Sequence, residues 1–205
     1  VKFIDAADNL SVQVHPDDSY AAAHENGEYG KNEAWLVLDA QPGARLIAGL
    51  KKGTTREVFA RAIADNSCLD HLNQITVSAG DVINIPAGLV HAIGKGIIIC
   101  EVQQNSDTTY RVYDYGRRDS TGNLRPLHIE KALDVINFAS KQVNPLVRGV
   151  PLSDPLVPNL QRLLLVLNRY LKLEKLVIKG KAVIDADHGR FHVLTVLAGS
   201  GRLIS

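Results

Sequence analysis

Gln13 and His15 stand two positions apart in the alternating stretch Leu10 to His15, so both side chains point to one face of a strand formed there. Lys31 and Glu33 repeat that i, i+2 spacing. A third segment, Gly80-Asp-Val-Ile-Asn-Ile-Pro-Ala-Gly-Leu-Val-His91, places a histidine just after a Pro-x-Gly turn that can aim it inward. Two imidazoles, a carboxylate and an amide oxygen form an N2O2 donor set that suits zinc, with water or substrate as a further ligand. Iron and manganese accept the same donors, so donor type alone leaves the metal open. A lone strand histidine is usually structural. His24, His71, His128, His188 and His192 are read that way, and only the joint pattern lifts His15 and His91 above it.

The elements that must hold these residues are mostly strands. Leu10, Val12 and Val14 form the apolar face opposite Gln13 and His15, after which Pro16-Asp-Asp ends the strand and starts a short helix or loop. Further strands are expected at Ala34 to Leu38, Arg45 to Leu50, Leu72 to Val77, Asp81 to Ile85, Gly96 to Gln103 and Thr108 to Tyr115. Thr54-Thr-Arg-Glu57 reads as a capping box for a helix to about Asp65, and His128 to Phe138 has helical periodicity. Short strands separated by turn residues predict an all-β sandwich or jelly roll. The Pro-rich stretch 141–158 reads as a connector between a domain over 1–140 and a second β block over 159–205. In that second block, strands are expected at Leu163 to Leu173, Lys175 to Lys179 and Phe191 to Leu197.

Of the 205 residues, 45% are hydrophobic and 22% charged, ordinary values for a globular protein. A formal net charge of +1 argues against nucleic acid or an anionic membrane as an electrostatic partner. No apolar run approaches the roughly 20 residues that span a bilayer, and two cysteines, Cys68 and Cys100, make no disulfide framework. A cytoplasmic location is therefore the expectation, and a monomer is compatible with the sequence. The chain contains no methionine and opens and closes within strand-like patterns, which reads as an interior fragment of a longer protein.

The segment Gly-x5-Pro-x-Gly-x2-His resembles the second sequence motif of the cupin superfamily, and His15 and Glu33 stand where the first motif supplies ligands. Gln13 takes the place of the usual first histidine, and the asparagine expected after His91 is absent. Gln-x-His-Pro, Lys-x-Glu and the distant histidine resemble type I mannose-6-phosphate isomerase, and the short bacterial branch in particular. So do Gly30-Lys-Asn-Glu-Ala-Trp35 and Glu101-Val-Gln-Gln-Asn-Ser-Asp-Thr-Thr-Tyr-Arg-Val-Tyr-Asp-Tyr-Gly-Arg117. The resemblance implies a cupin barrel followed by a partial second cupin-like β domain, and one zinc ion on Gln13, His15, Glu33 and His91. It also implies a catalytic role for Arg111, and it aligns Glu101, Asp107 and Lys31 with the polar active-site region.

The residue types suit such an activity on their own. Interconverting mannose 6-phosphate and fructose 6-phosphate moves a proton between C1 and C2 through a cis-enediol(ate), whose oxyanion needs a cation beside it. Arg111 supplies a charge that is never lost. Glu101 is the first choice of base, against the alternative that it only pairs with Arg111 or Lys31. Asp107 reads as an orienting partner of Arg111. Lys31, Arg117 and Arg118 are candidates for the phosphate, and strand parity favours Tyr113 over Tyr110 as a pocket residue. Two other functions compete: a sugar-binding cupin without turnover, and an iron- or manganese-dependent oxygenase, which usually presents more histidines.

Overall fold

The computed structural model describes residues 1–139, 145–152, 157, 159–184, 189 and 191–204. Its strands are β1 (Lys2–Ala6), β2 (Val12–Val14), β3 (Glu33–Ala40), β4 (Arg45–Leu50), β5 (Leu72–Thr76), β6 (Val82–Ile85), β7 (His91–Ala92), β8 (Ile97–Gln103), β9 (Tyr110–Tyr113), β10 (Val150–Leu152), β11 (Leu160–Leu167) and β12 (Lys172–Ile178). Three short helices accompany them: α1 (Asp18–His24), α2 (Arg56–Ala64) and α3 (Ile129–Val135). The strands form a four-stranded sheet β1-β8-β3-β6, a five-stranded sheet β5-β4-β7-β2-β9 and a three-stranded sheet β10-β11-β12, antiparallel throughout.

The two larger sheets share an apolar core that includes Trp35, Leu46, Ile83, Ile85, Ile97 and Ile99. Full burial of each such aliphatic side chain contributes about 1.5–3 kcal/mol. The five-stranded sheet turns Val12, Val14 and Val112 outward, where they pack with Phe59 of α2 and with Ala132 and Leu133 of α3. Because residues along a strand alternate, Gln13 and His15 face the interior between the sheets. This is the jelly-roll, cupin-like architecture the sequence predicts. The three-stranded sheet covers the outside of the four-stranded one, with Val166, Leu165 and Leu173 against Ala34, Val82 and Leu36.

Several local expectations change. The cap of α2 is Thr55, whose hydroxyl accepts the Val58 N–H and donates to Glu57, so the helix starts one residue later than the capping-box reading places it. The run Leu163 to Leu173 is two strands rather than one. Asn168 Oδ1 accepts the N–H groups of Tyr170 and Leu171 at 2.8 and 2.9 Å, which turns the chain back on itself. The expected strand Phe191 to Leu197 is absent. Its residues pair with no described strand, and Phe191 is 89% exposed. The expected connector 141–158 lies partly outside the described residues. Its described part is more regular than expected: Val147 N–H bonds to Val82 O, and β10 pairs with β11.

Candidate metal centre

Three short strands of the five-stranded sheet bring the first donors together. His91 of β7 and Arg111 of β9 both register with Gln13 of β2, so His91, Gln13 and Arg111 form one row across the sheet. His15 follows β2, one pleat along. From the facing sheet, Glu33 opens β3. His15, Glu33 and His91 are the group among the described residues able to hold a metal ion, with donor atoms within 4.8 Å of one another and all three side chains buried.

The hydrogen bonds around this group set its chemistry. His15 Nδ1 lies 2.9 Å from the Thr108 carbonyl and His91 Nδ1 lies 2.8 Å from the Leu89 carbonyl. A carbonyl can only accept, so each Nδ1 donates and Nε2 is the ring nitrogen turned inward. His15 Nε2 faces Glu33 Oε1 at 3.1 Å; both atoms are buried and no hydrogen bond joins them, while Lys31 Nζ approaches Oε1 to 2.8 Å. Two inward imidazole nitrogens and a carboxylate converging in a buried space are a donor set that fits a metal. Gln13 lies at its side, the amide nitrogen 3.3 Å from His91 Nε2, and rotating the amide would offer its oxygen to an ion.

Electrostatics agree. Burial acts to raise the Glu33 pKa, but the adjacent His15 ring and the Lys31 ammonium prevail and hold it below the usual carboxylate range. Burial drives the His91 imidazole down to about 3, which keeps Nε2 unprotonated and free to ligate.

The remaining predicted residues are placed as follows. Lys31, 5% exposed, sets Nζ 2.8 Å from Glu33 Oε1, so it steadies the carboxylate rather than reaching for a phosphate. Glu101 registers with Trp35 across β8 and β3, and the indole N–H bridges Glu33 Oε2 at 3.0 Å and Glu101 Oε2 at 3.1 Å. Burial first, then the Glu33 charge, pushes the Glu101 carboxyl up. Arg111 donates through Nη1 to the Pro126 carbonyl at 2.8 Å. Its acidic neighbour is not Asp107, whose fully exposed carboxylate sits 3.9 Å from Lys2. That neighbour is Asp114, 5% exposed, with Arg111 Nε at 4.0 Å, Arg125 Nε at 3.5 Å and Arg117 in short contact. Arg118 turns away to the Gly122 carbonyl.

Tyr113 departs from its parity. A bulge between Val12 and Gln13 shifts β9 so that Tyr113 pairs with Val12 and packs toward the helix-side core. Tyr110 is buried in that core and donates its hydroxyl to Glu25. Sequence reasoning missed Trp35 and Asp114 as site residues. Trp35 shares Glu33's face by simple alternation and was within reach, whereas Asp114 lies past the bulge, where parity fails. A concavity of about 900 Å³ beside β9 and α3, lined by Glu25, Thr108, Tyr110 and Lys131, includes none of the four ligand residues. The convergent buried donors, not that concavity, mark the site.

A cupin-like barrel with inward histidines and a glutamate on facing sheets defines the class: a β-barrel protein with a candidate metal centre. Over nearly its whole length the chain is similar in sequence to bacterial proteins named mannose-6-phosphate isomerases. It is 41% identical over 204 residues to mannose-6-phosphate isomerase ManA of Bacillus subtilis, covering 100% of this chain and 62% of that protein. It is 42% identical over 202 residues to the mannose-6-phosphate isomerase of Streptococcus mutans, covering 98% of this chain and 61% of that protein. The crystal structure of the Bacillus subtilis mannose 6-phosphate isomerase superposes with a TM-score of 0.80 at 33% identity, over 88% of this chain and 55% of the other. The chain thus spans about 62% of the length of the curated relatives it matches. No family model matches it.

Proposed function

We propose that the full-length protein is a zinc-dependent aldose–ketose isomerase that interconverts mannose 6-phosphate and fructose 6-phosphate. The observation that carries this reading is the buried convergence of His15 Nε2, Glu33 and His91 Nε2, with Gln13 beside them. Zinc held by Gln13, His15, Glu33 and His91 would supply Lewis acidity toward the sugar oxygens. In this reading the barrel over 1–140 carries the chemistry and the sheet beyond residue 159 begins a second β unit. A phosphorylated hexose does not cross a bilayer unaided, which favours a cytoplasmic setting; no helix among the described residues is long and apolar enough to span a membrane.

Glu101 is the base of the proposal. Its raised pKa brings a carboxyl toward the range where it can take a proton from C2 of the aldose and return it to C1 of the enediol(ate). Arg111, in row with Gln13 and His91, stands beside the oxyanion that develops. Arg117, held beside Asp114, would take the sugar phosphate, and Lys31 keeps Glu33 in its ligating position.

The test is a coupled assay of mannose 6-phosphate turnover by the full-length protein, before and after chelation and zinc restoration. Turnover that disappears with the chelator and returns with zinc is expected. Zinc-loaded protein without turnover would sink the isomerase reading and leave the sugar-binding alternative.

A further inference from the structure

Asn32, between Lys31 and Glu33, bonds to two other segments of the candidate metal centre. Its Nδ2 and its backbone N–H both donate to Gln104 Oε1, at 2.6 and 2.8 Å, and its carbonyl accepts the Gln104 N–H at 3.0 Å. Its Oδ1 accepts the Ala87 N–H at 3.1 Å. Ala87 lies in the turn that leads to His91, and its neighbour Gly88 donates N–H to the His15 carbonyl at 2.9 Å. Gln104 follows β8, the strand of Glu101. One asparagine side chain thus fixes the spacing between the Glu33 segment, the His91 turn and the end of β8.

The network continues outward. Gln104 Nε2 donates to Asp18 Oδ1 at 3.2 Å, and the same oxygen accepts the Gly30 N–H at 3.0 Å. The other Asp18 oxygen accepts the Tyr170 hydroxyl at 2.6 Å. Tyr170 belongs to the turn between β11 and β12, the hairpin of the three-stranded sheet. The relay Tyr170–Asp18–Gln104–Asn32–Ala87 therefore runs from the tip of that hairpin to the frame of the ligand set.

We infer that Asn32 is a positioning residue for the metal centre, and that Tyr170 ties the hairpin of the second β unit to it through Asp18 and Gln104. The inference rests on the metal reading above. Its physical basis is that donors must be held in place before the ion arrives, and hydrogen-bonded frames behind metal ligands typically govern affinity by about 10–100-fold.

The experiment is zinc affinity of the full-length protein by chelator competition, with the melting temperature of the metal-free form read alongside. Asn32→Ala is expected to weaken zinc binding about 10–100-fold. Tyr170→Phe, which removes one hydrogen bond at the far end, is expected to weaken it about three- to fivefold. A purely structural role would lower the melting temperature and leave the affinity of folded molecules unchanged. If Asn32→Ala does not fold, Asn32→Asp, which keeps an acceptor for the Ala87 N–H, carries the test together with Tyr170→Phe. Wild-type protein that takes up no zinc overturns the metal reading and this inference with it. Wild-type that binds zinc while the folded variants bind it equally, within twofold, overturns this inference alone.

Discussion

Arg111 and Asp114 show how a single buried carboxylate can organise charge. Three guanidiniums, from Arg111, Arg117 and Arg125, surround Asp114, which leaves a net excess of positive charge beside the row of Gln13 and His91. Burial and the Arg125 charge pull the Arg111 guanidinium below its usual pKa, and Asp114 opposes them. Arg111→Ala is expected to retain zinc and lose roughly 100- to 1,000-fold in kcat, the usual cost of deleting an oxyanion-stabilising donor. Asp114→Asn keeps the guanidiniums but removes their shared counter-charge, and a smaller fall of about tenfold in kcat is expected. Metal content and steady-state kinetics of the two variants check both. Loss of zinc from Arg111→Ala would instead make that arginine a structural part of the ligand frame.

At the scale of elements, Glu33 and His91 open their strands, His15 follows one, and Gln13 sits in a strand of three residues. β7 has only two residues and β2 only three, so the backbone around His91 and His15 is held as much by turns as by the ladder. Gly30 is one such turn position. A Cβ there would lie 2.3 Å from the Asp17 carbonyl carbon and 2.4 Å from the Asp18 nitrogen, both backbone atoms that cannot swing aside. Gly30→Ala is therefore expected to push apart the start of α1 and the Lys31–Glu33 segment. The expected readouts are a melting temperature lowered by several degrees, corresponding to about 1–3 kcal/mol, and weaker zinc uptake. Thermal denaturation with and without zinc measures both, and an unchanged melting curve would show that the contact relaxes freely.

At the scale of the whole molecule, the three-stranded sheet packs against the barrel. Val166 is 6% exposed and lies against Ala34 on β3, the strand of Glu33, and Val82 on the neighbouring β6. An aspartate there would bury an unpaired charge. Val166→Asp is expected to destabilise the full-length protein by about 3 kcal/mol or more. Denaturant unfolding followed by circular dichroism reads that loss, and a midpoint equal to wild type would mean that the two sheets do not pack in solution.

The sequence by itself determined the ligand types, the strand alternation that turns Gln13 and His15 inward, and most strand positions. These follow from local rules: side chains alternate along any strand, and Pro-x-Gly must turn. The family resemblance came from the same short segments. The tertiary structure alone decided which charges meet. Lys31 joins Glu33, Asp107 joins Lys2, and Asp114 takes the arginines. It also broke the parity of Tyr113 through one bulge, and set the indole of Trp35 between Glu33 and Glu101. Pairings between residues tens of positions apart depend on register and on which sheet faces which. Local periodicity records neither, because shifting a strand by one residue leaves its pattern intact while exchanging every partner.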